Sequence, residues 1–328
     1  MSQMSTDWKA LHRDSFAGRR VLVTGGAGFI GSHLATALDS LGATTRVLDD
    51  LSGGGDPADL PRSVEFIQGS ILDTGLLDRC TAGCDLVFHQ AALGSVPLSV
   101  QQPRRFHEVN ITGTFNVLEA ARTRNVHRVM FAASSSAYGD SETLPKQESM
   151  PTHARSPYAA TKAAGEACLA AFAACYPLDT CSLRYFNIFG PRQNANSAYA
   201  AVIAAFATSM LAGKPPIIYG DGEQSRDFTY IANVVDITLR ACEAPGASGL
   251  VMNGGTGARI TLNQVLKLLE KITGKKIQAK YEPPRVGDIK DSQADISLAR
   301  KVLGYQPLVD FEQGLRLTWD WYASTYQK

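Results

Sequence analysis

A doubly wound α/β fold, one parallel sheet with helices on both faces, follows from three features of this sequence. Short apolar runs alternate with longer helical patterns as far as Gly190. A glycine-dense turn joins the first run to the first helix. Beyond Gly190 the rhythm breaks and Asn, Gln, Pro and Gly become frequent, which marks a smaller C-terminal lobe. Strands that are apolar throughout are the strands of parallel sheets buried on both sides.

The elements follow in order. A short amphipathic helix (Trp8, Leu11, Phe16) precedes the first strand, VLVTG at 21–25, and a helix starts near Phe29. TTRVLDD (44–50) and VEFIQGS (64–70) are the next two strands. DLVFHQAA (85–92) leads to a helix through NITGTFNVLEAARTR (110–124). RVMFAASS (128–135) leads, after a loop, to the helix YAATKAAGEACLAAFAACY (158–176). TCSLRYFNIFG (180–190) is the sixth strand. A helix at NVVDITLRACEA and a strand at GLVMNGG return to the first sheet. This divides the chain into a nucleotide-binding domain, 1–186 with 232–255, and a second lobe, 187–231 with 256–328. A cleft separates them.

Composition narrows the function. Lys and Arg total 32 against 31 Asp and Glu, a net charge of +1. That balance lacks the excess positive charge on which nucleic-acid or membrane-surface binding rests. No apolar run approaches the ~20 residues of a membrane span, and the N-terminus lacks the apolar stretch of a signal peptide. The six cysteines are scattered, and only Cys80 and Cys84 are close, without a histidine pair to complete a metal site. The expectation is a cytoplasmic protein with reduced thiols and no metal.

The glycine turn carries the first chemical signal. Gly26-x-Gly28-x-x-Gly31 fits the dinucleotide fingerprint, and Gly25, Gly28 and Gly31 fit a second three-residue spacing. The turn lies between a strand and a helix, the context the motif requires. Unpaired N–H groups at the helix N-terminus attract a pyrophosphate, and a Cβ at the approach points would hold it away. The second strand ends in Asp49-Asp50. A carboxylate there accepts from adenosine ribose hydroxyls and repels a 2′-phosphate, so NAD is expected over NADP.

The second signal is SPYAATK. Tyr158 and Lys162 are four apart on a helix and share a face. Pro157 opens that helix. The preceding strand ends in Ser134-Ser135-Ser136, at the edge where open α/β sheets bind ligands.

With TGGAGFIG, VLDDLSGG, HQAALGSVP, NITGT, SSSAYGD, SPYAATK, RYFNIFGPRQ and SRDFTY, the chain resembles the extended short-chain dehydrogenase/reductase family almost throughout. Within it the chain is similar to nucleotide-sugar 4-epimerases, most of all the UDP-N-acetylglucosamine 4-epimerase branch. The resemblance implies a Rossmann-type fold, bound NAD, a UDP-sugar substrate and a homodimer formed by helices near 103–123 and 157–175. It implies that Tyr158 is the general base on the sugar 4-hydroxyl, that Ser134 hydrogen-bonds the reacting oxygen, and that Lys162 binds the nicotinamide ribose and lowers the tyrosine pKa. A tyrosine titrating near ~10 needs a drop of about 3 units, or about 4 kcal/mol, to act at neutrality, which an ammonium and a cationic nicotinamide in a dry cleft supply.

Further cofactor contacts implied are Phe29 and Ile30 in the turn, Gln90, Ala91 and Ala92 at the end of the fourth strand, Tyr185 near the nicotinamide, and Ser70 with Ile71 near the adenine. Many relatives carry Asp where Ser70 stands, so that contact loses a charge. On the substrate side, Arg226 and Arg285 resemble a diphosphate grip, Asp288 faces the uridine ribose, Tyr219 borders the uracil, and Asn187 contacts the diphosphate or sugar. Ser292 stands where hexose-only relatives carry Tyr, leaving volume for an N-acetyl group that Ser95 and Ser136 hydrogen-bond. Dehydratase and decarboxylase relatives have acids just after the catalytic Ser, whereas this chain has Ser135, Ser136 and Ala137. UDP-glucose, UDP-glucuronate and the acetamido uronate remain open as substrates, as do a reductase releasing NADH and a non-catalytic NAD-binding protein.

Overall fold

The computed structural model describes residues 6–195, 202–284 and 290–326. Its sheet has seven strands: β1 (Arg20–Thr24), β2 (Thr44–Asp49), β3 (Glu65–Gln68), β4 (Leu86–His89), β5 (Arg128–Ser134), β6 (Asp179–Tyr185) and β7 (Leu250–Gly254). They lie in the order β7-β6-β5-β4-β1-β2-β3, every pairing parallel. The doubly wound sheet expected from the sequence is the fold observed.

Successive side chains on a strand point to opposite faces, and the core divides accordingly. Val21, Val23, Val47, Phe88, Met130 and Leu183 join one buried cluster, while Leu22, Leu48, Val87, Val129 and Phe131 join the other. Both faces are covered, so these strands read as unbroken apolar runs. The strand order reverses at β1, whose neighbours are β4 and β2 and which leads into helix α1 (Phe29–Ser40). Connections diverge on either side of that point and leave a crevice at the carboxyl edge.

Two elements differ from the sequence reading. The 180–190 run is not one strand: β6 stops at Tyr185, and Ile188–Phe189 pairs instead with Thr229–Tyr230. Asn187 makes the break with a φ of 22°, a positive value that Asn tolerates better than most residues. The helix read over 110–124 starts earlier. Pro103–His107 is α-helical, Glu108–Thr112 forms a wide π turn, and Gly113–Thr123 continues as α-helix. The π turn carries Asn110, whose Nδ2 donates to the Leu93 carbonyl (3.1 Å) and Thr161 Oγ1 (3.0 Å) while its Oδ1 accepts from the Leu93 N–H (2.9 Å). One side chain thus ties a loop after β4 to α2 (Pro157–Cys175).

The rest of the described chain supplies helices Val202–Leu211, Leu262–Thr273, Ser297–Leu303 and Phe311–Tyr326 and three two-stranded ribbons. Asp227, fully buried, fastens its turns. Asp227 Oδ1 accepts from the N–H (2.9 Å) and hydroxyl (2.6 Å) of Thr256, and Oδ2 from the N–H groups of Gly257 (2.9 Å) and Ala294 (3.1 Å). Arg128 closes the end of the helix Ile231–Glu243: its Nη1 donates to the Cys242 (2.6 Å) and Ala244 (2.8 Å) carbonyls, and Nη2 to Asp179 (2.9 Å). A cation suits those unpaired carbonyls by charge as well as by hydrogen bonding.

The N-terminal helix is Trp8–His12, shorter than its apolar pattern, and Phe16 beyond it is buried. His12 docks this segment on the Ile231–Glu243 helix, with Nε2 3.1 Å from Asp236 Oδ1 and Nδ1 3.1 Å from Glu243 Oε1. Burial works against a charged ring, but the hydrogen bonds and charges of Asp236 and Glu243 outweigh it, and the His12 pKa is raised. A raised folded-state pKa contributes stability that is full below the unfolded value near ~6.5 and is lost as pH rises through the folded value. Chemical denaturation at stepped pH is expected to show wild-type stability declining above that range, and His12→Ala is expected to be less stable at low pH with the decline flattened. An equal slope in both proteins would rule out the latch.

Candidate active site

The crevice at the carboxyl edge is a cleft of about 550 Å³. Its floor is the glycine turn between β1 and α1. The glycines are bare for different reasons. Gly25 has φ +68°, and a Cβ there would lie 2.5 Å from the Ala91 nitrogen. At Gly31 a Cβ would lie 2.2 Å from the Gly25 oxygen, so the helix could not sit on its own turn. At Gly28 a Cβ would meet only the Gly25 oxygen, at 3.3 Å. Gly28 caps α1 without a side-chain hydrogen bond and lines the cleft. The expectation that bare glycines admit a phosphate therefore applies to Gly28, whereas Gly25 and Gly31 are fixed by the protein's own packing.

The cofactor residues expected from the sequence converge on this cleft: Gly25, Gly28, Phe29, Ile30, Gly31, Asp49, Asp50, Ile71, Gln90, Ala91, Ala92, Tyr158, Lys162 and Tyr185 all line it. Ser70 does not, although Gly69 and Ile71 on either side do. The Ser70 hydroxyl accepts from the Leu72 N–H (3.2 Å), so its oxygen is partly engaged in its own turn. The two acids are not equivalent. Asp49 Oδ2 accepts from the Ala27 N–H (3.0 Å) and Oδ1 from the Leu51 N–H (2.8 Å). Burial raises its pKa against the pull of those bonds. Asp49 braces the glycine turn, while Asp50 is exposed and accepts from the Ser52 N–H (2.9 Å) of its own loop. Gly55 presses on the turn from the other side, where a Cβ would lie 2.4 Å from the Ala27 oxygen.

Helix α2 brings the expected catalytic pair to the cleft. Ser156 caps it, accepting from the Ala159 N–H (3.2 Å), and Pro157 occupies the first turn. Gly165 lets the helix lie against Phe131, whose ring a Cβ would meet at 2.5 Å. Lys162 is then buried, and its Nζ donates to the Ala132 carbonyl of β5 (2.7 Å). Burial pushes the Lys162 pKa down to about 8, with Glu166 opposing. Ser134, the last residue of β5, accepts from the hydroxyl (2.8 Å) and N–H (3.2 Å) of Ser136 and hydrogen-bonds Tyr158. Here the structure departs from the sequence reading. Lys162 lies 6.0 Å from the centre of the Tyr158 ring and spends a hydrogen bond on Ala132. Burial raises the Tyr158 pKa, and the Ser134 hydrogen bond offsets this only in part. The protein by itself does not depress the tyrosine, because desolvation of the phenolate exceeds the help it receives.

Two smaller cavities continue from the cleft. One, about 240 Å³, is lined by Ser134, Ser135, Ser136, Tyr158, Tyr185, Asn187, Arg226 and Ser292, together with Val96, Gly139, Lys146 and Phe186. The other, about 180 Å³, is lined by Asn187, Tyr219, Arg226 and a mostly apolar set including Phe206 and Phe228. Arg226 Nη1 donates to the Ser225 (2.9 Å) and Lys290 (2.8 Å) carbonyls. Asn187 Nδ2 donates to Ser292 Oγ (3.0 Å) and the Asp227 carbonyl (3.1 Å). Ser95 stands between Gly94, which lines the cleft, and Val96, which lines the first of these cavities, and caps a helix, its oxygen accepting from the Leu98 N–H (3.2 Å). Arg285 and Asp288 fall outside the described residues. The sequence reading passed over Lys146, Val96 and Gln193 as lining residues, since a lone Lys, Val or Gln in a loop carries no motif.

Residues 21–255 match the NAD dependent epimerase/dehydratase family. The chain is 37% identical over 316 residues to UDP-glucose 4-epimerase of Mycolicibacterium smegmatis, covering 94% of this chain and 100% of that protein. It is similar to the structure of UDP-N-acetylglucosamine 4-epimerase from Methanobrevibacter ruminantium M1 in complex with UDP-N-acetylmuramic acid, with a TM-score of 0.90 and 39% identity over 94% of this chain and 99% of that one. It is also similar to the structure of UDP-glucose 4-epimerase from Thermus thermophilus in complex with NAD, with a TM-score of 0.84 and 35% identity over 92% of this chain and 98% of that one.

The glycine geometry separates binding from folding. Gly28→Ala is expected to melt within a few degrees of wild type yet bind NAD at least roughly tenfold more weakly, because its methyl group enters the pyrophosphate path. Gly31→Ala is expected to lose stability, because its methyl group meets backbone. Thermal melts and NAD calorimetry on both proteins check this, and unaltered NAD affinity in Gly28→Ala would refute it.

Proposed function

Because the chain belongs to the NAD dependent epimerase/dehydratase family, we propose that it interconverts the 4-epimers of a UDP-linked acetamido hexose, UDP-GlcNAc and UDP-GalNAc. The observation that carries this reading is the meeting of Ser134, Tyr158 and Lys162 in one cleft with the bare Gly28, beside a cavity whose wall is Ser292. The cleft fits NAD: a helix N-terminus without a side-chain cap at Gly28, carboxylates at Asp49 and Asp50, and small residues Ala91 and Ala92 where a flat ring must cross the sheet edge. NAD bound there would supply the acceptor and donor for a hydride at C4 of the sugar.

The chain's own groups do the rest. Tyr158 takes the proton of the sugar 4-hydroxyl and gives it back after the ring turns over. Ser134 donates to the reacting oxygen and fixes its distance from Tyr158. Lys162 holds the ribose of the cofactor, and its charge, close to titration at neutral pH, stabilises the phenolate once the cofactor orders it. Arg226 and Asn187 hold the diphosphate, and Tyr219 borders the base. Val96, Ser136 and Ser292 surround the sugar, where the absence of a bulky side chain at 292 leaves room for the acetamido group during turnover. A plain hexose is the second reading, supported by the UDP-glucose 4-epimerases among the relatives.

Incubating the protein as purified with UDP-GlcNAc, UDP-glucose and their uronic acids, then separating the 4-epimers, tests the proposal. Epimers of the acetamido sugars are expected without added NAD, and Tyr158→Phe is expected to retain cofactor while losing turnover by a factor of ~100 or more. Ser292→Tyr is expected to suppress the acetamido sugars and spare UDP-glucose; equal loss of both would remove the volume argument. NADH and keto sugar released with no epimer would make the protein a dehydrogenase.

A homodimer belongs to the same proposal. Phe115, 49% exposed, stands on one of the helices expected to pair, and Tyr176, 42% exposed, follows the last residue of the other. Light scattering is expected to give twice the 35.2 kDa chain mass, and a monomer at micromolar concentration would exclude it.

A further inference from the structure

The cavity beside Ser134 and Tyr158 contains two cationic residues, Lys146 and Arg226, and no carboxylate among its described lining residues. Arg226 also lines the neighbouring cavity with Tyr219, so it lies between the two, where a diphosphate would run. Lys146 lines only the cavity that holds Ser134, Tyr158 and Ser292. It is therefore on the sugar side.

Lys146 is an unusual residue to find there. It is 2% exposed, and lysines are almost never that buried unless paired. Its Nζ donates to the Ser141 carbonyl, which satisfies one of three ammonium donors. Among the described residues no carboxylate lies within ion-pair distance; Asp140 acts on it only from further off. Its backbone is held firmly. The Lys146 N–H donates to the Gln293 carbonyl (2.7 Å), and its carbonyl accepts from the Asp295 N–H (2.8 Å) and from Asn253 Nδ2 (2.8 Å). The side chain thus springs from a fixed point beside the Ser292 segment. A buried cation with no counter-ion is costly, and burial accordingly works against its charged form. The cavity that Lys146 lines is a place from which an anion could reach it.

We propose that Lys146 is the counter-ion for a carboxylate on the sugar, so that among acetamido sugars the site favours one with a carboxylate at C6, a UDP-N-acetylhexosaminuronate, over UDP-GlcNAc itself. The proposal rests on the 4-epimerase reading of the site. C6 is the choice because oxidising it introduces the charge without adding bulk beyond the ring's own substituents, in a cavity of about 240 Å³. A charge-assisted hydrogen bond to a desolvated ammonium is among the stronger polar contacts.

Steady-state kinetics with UDP-N-acetylglucosaminuronate and UDP-N-acetylglucosamine test this. Wild-type kcat/KM is expected to favour the uronate by about tenfold or more. In Lys146→Met that ratio is expected to collapse towards one, chiefly through KM, whereas Lys146→Arg retains part of it. A wild-type preference for the uncharged sugar, or an unchanged ratio in Lys146→Met, would overturn the proposal. If the methionine variant fails to fold, calorimetry on Tyr158→Phe holoenzyme decides: the uronate is expected to bind about tenfold more tightly, and equal affinities would overturn the assignment. Failure of every sugar to epimerise would strike the 4-epimerase reading instead, while the binding ranking would still judge Lys146.

Discussion

Backbone touching backbone at Gly25 is the constraint on which the cleft depends. The turn after β1 passes so close to Ala91, at the end of β4, that no side chain fits between them. This contact bridges the point where strand order reverses. It seats the N-terminus of α1 on the carboxyl edge of the sheet, and Gly31 allows the helix to come down onto the turn. Asp49 holds the turn from β2 and Gly55 closes on it from the following loop. The place where a pyrophosphate would lie is thus built by main chain, before any charged side chain is considered.

Desolvation governs the other half of the site. Burial moves Tyr158 up and Lys162 down, each towards its neutral form. At neutral pH the lysine still keeps its charge, whereas the tyrosine is held in its neutral form. A positively charged ring beside the tyrosine would tip the balance, since opposite charge and low dielectric reinforce each other. Without such a charge the Lys162 ammonium is bonded to the Ala132 carbonyl.

Much of this was legible in the sequence because it rests on local rules. Apolar runs without alternation pointed to the parallel sheet, and the glycine spacing between strand and helix located the cleft. Tyr158 and Lys162 were readable from helical periodicity, which puts four-apart residues on one face. What was not legible depends on distant pairings. Nothing in RYFNIFG announces that Asn187 turns out of the strand and reaches Ser292. Ser95 reads as a candidate ligand, and the fold adds a second role for it as a helix cap that the sequence reading did not name. Asp49 and Asp50 look interchangeable in sequence, and only the fold shows one turned inward to the Ala27 N–H. Lys146 has no motif at all; its interest arises from what surrounds it.

Asp227 has a wider implication. A single carboxylate gathers Thr256, Gly257 and Ala294, so separate loops are stapled by main-chain bonds to one point. The backbone beside the Ser292 cavity is thus held by a buried carboxylate that does not itself line that cavity. Positions such as 292 can be exchanged one at a time while the frame stays put. A frame fixed in that way leaves the lining positions to set the shape of the space between the loops.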